Sequence, residues 1–129
     1  MIVQRLVCLA MALCLFSSAA SCSGNTFEAN FTAAQENART KTGAAYDMAL
    51  GNALQSPDVQ AQISKCLKDN PGPQAVHGFF QFSTPSRYRL MLRPESRFSR
   101  CLSRAMEGHR IPAPPRLPYL NPFNFTSQP

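Results

Sequence analysis

The spacing of apolar residues along the chain changes character twice, and each change predicts a different kind of backbone. From Thr32 onward apolar positions recur at helical intervals through Ala34, Tyr46, Ala49, Leu50, Ala53 and Leu54. Thr32-Ala33-Ala34-Gln35 has the spacing of a capping box, in which both polar side chains satisfy backbone N–H groups at a helix start. One N-terminal helix over residues 32–55 is therefore expected, weakened by Gly43 and Gly51. Residues 22–31 carry small and polar side chains without an apolar period and read as a flexible tether.

The next helix start lies in Ser56-Pro57-Asp58, which supplies a capping oxygen, a proline suited to the first turn and an acid near the positive helix end. Val59, Ile63, Cys66 and Leu67 then share one face, and Asn70-Pro71-Gly72-Pro73 stops the helix. Beyond this punctuation the period falls to two. Phe80 and Phe82 alternate with Phe79 and Gln81, while Tyr88, Leu90 and Leu92 alternate with Arg87, Arg89, Met91 and Arg93 across a turn at residues 83–86. The pattern predicts an antiparallel hairpin with one face buried and the arginines of its second strand in water.

Pro94-Glu95 suits another helix start and Gly108 its end, with Phe98, Cys101, Leu102, Ala105 and Met106 on one side. A stiff connector, Ile111-Pro112-Ala113-Pro114-Pro115, leads to a last strand in which Tyr119, Phe123 and Phe125 share a side. Pro118 and Pro122 would confine that strand to a sheet edge or to bulges. The element order predicts an α+β class, with a small three-stranded antiparallel sheet packed against two helices and an extra N-terminal helix.

The first residues bear on where such a domain works. Arg5, an apolar run from Leu6 to Phe16 and then small residues have the layout of a secretory signal over residues 1–21. The run is shorter than the roughly 20 apolar residues that a membrane-spanning helix needs. Ala19-Ala20-Ser21-Cys22 resembles a bacterial lipobox, which makes Cys22 the expected lipidation site and the periplasm or outer membrane the expected location. Ordinary cleavage after Ala20, with secretion, is the alternative.

Of five cysteines, Cys8 and Cys14 fall in the signal and Cys22 at the lipobox, leaving Cys66 and Cys101 on apolar helix faces. In an oxidising compartment that pair predicts one disulfide. The loop it closes, about 35 residues, is worth on the order of 4 kcal/mol by chain entropy. A nucleophilic Cys101 would need a base, for which the sequence offers His77 and His109, each beside a glycine at the end of an element. A zinc site from Cys66, His77, Cys101 and His109 has no paired ligand spacing to support it. No phosphate loop, paired-carboxylate motif or nucleophile elbow occurs, so neither cofactor nor catalytic constellation is expected.

The net charge is +6 at pH 7, and it belongs to the second half, where eight arginines from Arg87 to Arg116 face only Glu95 and Glu107. Arginine on a strand and a helix is an ordinary solubility device. The sharper reading is a face for an anionic partner, formed by Arg87, Arg89, Arg93, Arg97, Arg100 and Arg104, that takes an envelope polymer, lipid headgroups or an acidic protein. Nucleic acid fits less well, because the chain is expected to be exported and no aromatic-interleaved recognition motif accompanies the charge.

Several of these pieces in order carry a family resemblance. They are Ile63-Ser64-Lys65-Cys66, Gly78-Phe79-Phe80-Gln81-Phe82, Tyr88 to Arg93, Phe98-Ser99-Arg100-Cys101-Leu102, Ile111-Pro112-Ala113-Pro114 and Pro122-Phe123-Asn124-Phe125. Together they resemble the C-terminal domain of TonB, most of all the cysteine-paired version in myxobacterial envelope and gliding-associated proteins. The resemblance spans residues 57–126 and sets the domain at residues 56–126. It implies a periplasmic module that offers a sheet edge to partner proteins or peptides. The chain departs from TonB in its short N-terminal region and cleavable signal, so force transduction from an inner-membrane motor is not implied.

The expected function is thus a non-catalytic exported envelope lipoprotein whose disulfide-stabilised domain binds a protein or peptide. The alternative is a secreted basic protein whose arginine face binds an anionic polymer or surface. Secretion from a eukaryotic cell would instead make Asn30-Phe31-Thr32 and Asn124-Phe125-Thr126 glycosylation acceptors.

Overall fold

A computed structural model of the chain describes residues 26–128. The expected signal segment 1–21 and Cys22 lie outside the described residues. Among the described residues four helices, α1 (Thr26–Arg39), α2 (Lys41–Leu54), α3 (Pro57–Asp69) and α4 (Arg97–Glu107), accompany three strands, β1 (Gln74–Phe82), β2 (Tyr88–Arg93) and β3 (Tyr119–Ser127). The strands form one antiparallel sheet in the order β2-β1-β3, which makes the protein α+β as the pattern predicted. Among the described residues no helix is long and apolar enough to cross a membrane.

The N-terminal helical region differs from the single helix expected. α1 begins at Thr26, inside the predicted tether, and Thr32 is an exposed mid-helix residue rather than a cap. The reason is a stripe at i, i+4 and i+7: Phe27, Phe31 and Ala34 face the sheet, and Ala34 is fully buried. The helix breaks at Thr40, whose hydroxyl accepts from the Gly43 N–H at 3.0 Å and donates to the Asn37 carbonyl at 2.7 Å. One residue therefore ends α1 and caps α2. Gly43 is needed there, since a Cβ would overlap the Asn37 carbonyl oxygen.

The other boundaries follow local chemistry. Ser56 caps α3, accepting from the Val59 N–H at 3.4 Å. α4 starts just after Pro94-Glu95, because Ser96 and Ser99 form a reciprocal capping box at 2.7 and 3.0 Å. The hairpin closes through the Ser83 N–H on the Arg87 carbonyl at 3.2 Å.

Helices cover both faces of the sheet. On one face Val76, Phe80, Phe82, Leu90, Leu92, Tyr119 and Phe123 form a core with α3, α4 and the Tyr46 and Leu50 side chains of α2. Burying such side chains contributes about 1.5–3 kcal/mol each. On the other face Phe79 is only 2 % exposed, because the Phe27 ring of α1 packs against it, tilted, at 5.3 Å. His77 is half-buried between the Phe27 and Phe31 rings, at 5.8 and 5.0 Å. The expectation of one wet sheet face is corrected accordingly. Arg93 does not point freely into water either: its guanidinium lies 4.7 Å from the Phe27 ring centroid and 3.1 Å from the Glu95 carboxylate.

Cys66 and Cys101 are joined in a disulfide with their Cα atoms 5.7 Å apart, and the bridge ties α3 to α4 across 35 positions. β3 occupies a sheet edge with Pro122 inside it, as its prolines required.

Candidate functional site

The hydrogen-bond phase of the sheet decides which backbone groups are open to a partner. In an antiparallel pair, residues alternate between facing the neighbouring strand and facing away. The Ser83-to-Arg87 bond fixes that phase, so the odd-numbered residues of β1 bond to β2 and its even-numbered residues bond to β3. The N–H and C=O groups of Tyr88, Leu90 and Leu92 on β2, and of Leu120, Asn124 and Thr126 on β3, therefore point away from the sheet. Three contacts agree with this phase: Ser103 Oγ donates to the Leu90 carbonyl at 2.8 Å, Arg93 to the Leu92 carbonyl at 3.3 Å, and Asn37 Nδ2 to the Leu120 carbonyl at 2.9 Å.

These contacts blunt most of both edges. On β2 the outward carbonyls of Leu90 and Leu92 are occupied, and α4 lies against the strand. On β3 Asn37 takes the first outward carbonyl, and Pro122 follows at an outward-facing position, where its missing N–H costs the sheet nothing. Past Pro122 the edge is open. The backbone groups of Asn124 and Thr126 find no partner among the described residues, and both residues are exposed.

A cavity of about 480 Å³ opens beside this stretch, between α2, α3 and β3. Leu50, Leu54, Ile63, Phe80 and Phe123 make its apolar lining, while Asp47, Asn121 and Asn124 bring polar atoms to it. Asn121 is fully buried and donates from Nδ2 to the Asp47 carboxylate at 2.8 Å and to the Pro122 carbonyl at 3.1 Å. Its Oδ1 has no hydrogen-bond partner among the described residues. Gln60 closes the corner between α2 and α3 by donating to the Leu54 carbonyl at 2.9 Å.

Tyrosines brace the walls. Tyr46 donates to the Pro112 carbonyl at 2.8 Å and packs edge-on against Phe82 and Tyr119, at 5.9 and 5.4 Å. The Tyr88 hydroxyl reaches the Met106 carbonyl and lies 2.5 Å from the His109 carbonyl, beyond the end of α4. Burial pushes the phenol pKa of Tyr46, Tyr88 and Tyr119 up, and for Tyr46 the neighbouring Tyr119 adds to the effect.

The residues singled out in the sequence do not all meet. Cys66 and Cys101 are bonded to each other, so neither sulfur is a thiolate for nucleophilic attack or zinc binding. Cys22 lies outside the described residues. The six arginines do not form one face. Arg87 sits at the hairpin turn, Arg89 pairs in register with Gln81 on the α1 side of the sheet, and Arg93 is engaged by Glu95 and Phe27. Arg97, Arg100 and Arg104 line a separate groove against α3.

Sequence reasoning missed Asn37, Asp47, Asn121 and the open end of β3. The aromatic pair Phe27 and Phe31, four residues apart, was the available signal for α1 and hence for the blunted edge. Comparison with protein-family models, with curated proteins and with solved structures finds no match to this chain.

Proposed function

We propose that this chain is a non-catalytic exported envelope protein, lipid-tethered at Cys22, whose TonB-C-terminal-like domain takes an extended peptide segment of a partner onto the open end of β3. The observation that carries this reading is the placement of unpaired backbone groups at Asn124 and Thr126 beside the α2–α3–β3 cavity. An added strand gains main-chain hydrogen bonds along its length, and alternate side chains point to one face. On the cavity side those side chains meet Leu50, Leu54 and Phe123, so an apolar residue there supplies specificity. The lipobox at Ala19–Cys22 and the disulfide between Cys66 and Cys101 support the oxidising location.

The test places a photocross-linking residue at position 124 or at position 89 in the full chain, expressed in its native envelope. Position 124 is expected to trap a partner and position 89 to trap none. Hydrogen exchange at the Thr126 amide should slow when that partner is added. Equal adducts from both positions, or an unchanged Thr126 amide, would sink the strand-addition reading. Intact mass of the natively expressed protein checks the tether, with acyl chains on Cys22 expected and an unmodified N-terminus counting against it.

A further inference from the structure

Three of the second-half arginines, Arg97, Arg100 and Arg104, gather in one place. A trough of about 490 Å³ runs between α3 and α4 with the Cys66–Cys101 bridge among its lining residues. Arg97, Arg100 and Arg104 stand on its α4 bank at i, i+3 and i+7, and Lys65 stands on its α3 bank. At the helical rise the three arginines extend along roughly 10 Å. The disulfide holds the two banks together, with Cα atoms 5.7 Å apart, so the cations cannot relieve their repulsion by moving the helices apart.

Among the described residues no ion pair within 4.0 Å engages these cations. Asp69 is the one acid lining the trough, and among the described residues the ion pair within 4.0 Å is Arg93–Glu95, which belongs to another part of the surface. Four like charges around one concavity raise the local potential and concentrate anions there. Guanidinium groups bind phosphate through paired, charge-assisted hydrogen bonds that an isolated ammonium does not reproduce.

We propose that the α3–α4 trough is a binding site for a compact, soluble ligand carrying two or more phosphate groups, with Arg97, Arg100 and Arg104 along one bank and Lys65 closing from the other. A flat membrane surface is the poorer fit. Arg87 and Arg89 lie away from the trough, at the hairpin turn and on the α1 side of the sheet, so the basic residues offer no single plane for a bilayer. The site is separate from the open end of β3.

Titration of the oxidised full-length protein with inorganic tripolyphosphate tests this. Saturable one-to-one binding is expected, weakening as salt screens the charges. The double variant Arg100→Gln, Arg104→Gln should weaken binding by about tenfold or more, given the strength of hydrogen bonds to charged groups. Arg87→Gln, Arg89→Gln removes the same net charge elsewhere and should change it less than about twofold, since exposed charges at a distance are largely screened. Equal losses in the two double variants would reduce the effect to net charge and overturn the site. Absence of saturable tripolyphosphate binding overturns it as well, as does binding to anionic phospholipid vesicles without binding to tripolyphosphate. Asn124→Pro, which blocks the strand edge, should leave tripolyphosphate affinity unchanged, so this proposal and the peptide reading fail separately.

Discussion

The side chain of Asn37 reaches across 83 positions of sequence to donate a hydrogen bond, at 2.9 Å, to the carbonyl of Leu120. α1 thereby closes the start of the β3 edge and leaves its end open. Asn37 also accepts from Arg116 at 2.9 Å, which draws the proline-rich connector against the same helix. Removing this side chain with Asn37→Ala should lower stability by about 1 kcal/mol and lengthen the open edge by one carbonyl. Denaturant unfolding and sedimentation velocity together check it, with lower stability and greater self-association than the parent expected. A variant with unaltered stability and association would remove Asn37 from its protective role.

The disulfide closes a loop of 35 residues, for which chain entropy gives on the order of 4 kcal/mol. For a domain of about 100 residues each kcal/mol moves the melting point by roughly 4–8 °C. Calorimetry with and without reductant should therefore show a drop on the order of 15–30 °C. A midpoint that ignores reductant would mean that the unfolded chain is already compact around these cysteines.

Three phenols, those of buried Tyr46 and Tyr119 and of partly buried Tyr88, set an alkaline limit. Tyr46, Tyr88 and Tyr119 hold their protons above the ordinary value of 10.0, chiefly because burial disfavours the phenolate. In the unfolded chain they lose those protons first, so stability is fully present below pH 10.0 and falls as pH rises beyond it. Unfolding free energies measured from neutral to strongly alkaline pH should show this decline, with a shallower slope in Tyr46→Phe. Identical slopes for parent and variant would remove Tyr46 from the cause.

Two glycines should respond in opposite directions. A Cβ at Gly78 would collide with the Met91 carbonyl and lie 3.1 Å from the Leu92 Cα, so Gly78→Ala forces β1 and β2 apart at the centre of the sheet. A loss of about 2 kcal/mol or more is expected from such overpacking. Gly51, in the middle of α2, has open space around its Cβ position, so Gly51→Ala should add about 1 kcal/mol through helix propensity. Denaturant melts of the pair check both signs.

What could be read in the sequence was what neighbouring residues decide together. Ser56-Pro57-Asp58 capped α3 where expected, the period-two runs gave β1 and β2, and Pro122 placed β3 at an edge. The cysteines were pairable because each fell on an apolar helical face. α1 escaped because its stripe of Phe27, Phe31 and Ala34 is cut by the start assigned at Thr32, although Asn25 and Glu28 have the spacing of a capping box. The candidate site escaped for a different reason. Asn121 and Asp47 are 74 positions apart, and no local period announces such a pair. Likewise the scatter of the arginines follows from the sheet, whose alternation sends Arg89 to one side while α4 carries Arg97, Arg100 and Arg104 on the other.

With α1 roofing one side of the sheet and α3 and α4 the other, the molecule can only grow sideways. A guest chain that joins it is measured in length, one backbone rung for every second residue, and not in the area of a flat patch. Pro122 then acts as a ruler mark: it removes one outward donor from the edge, so an unbroken run of rungs for a guest begins at Asn124.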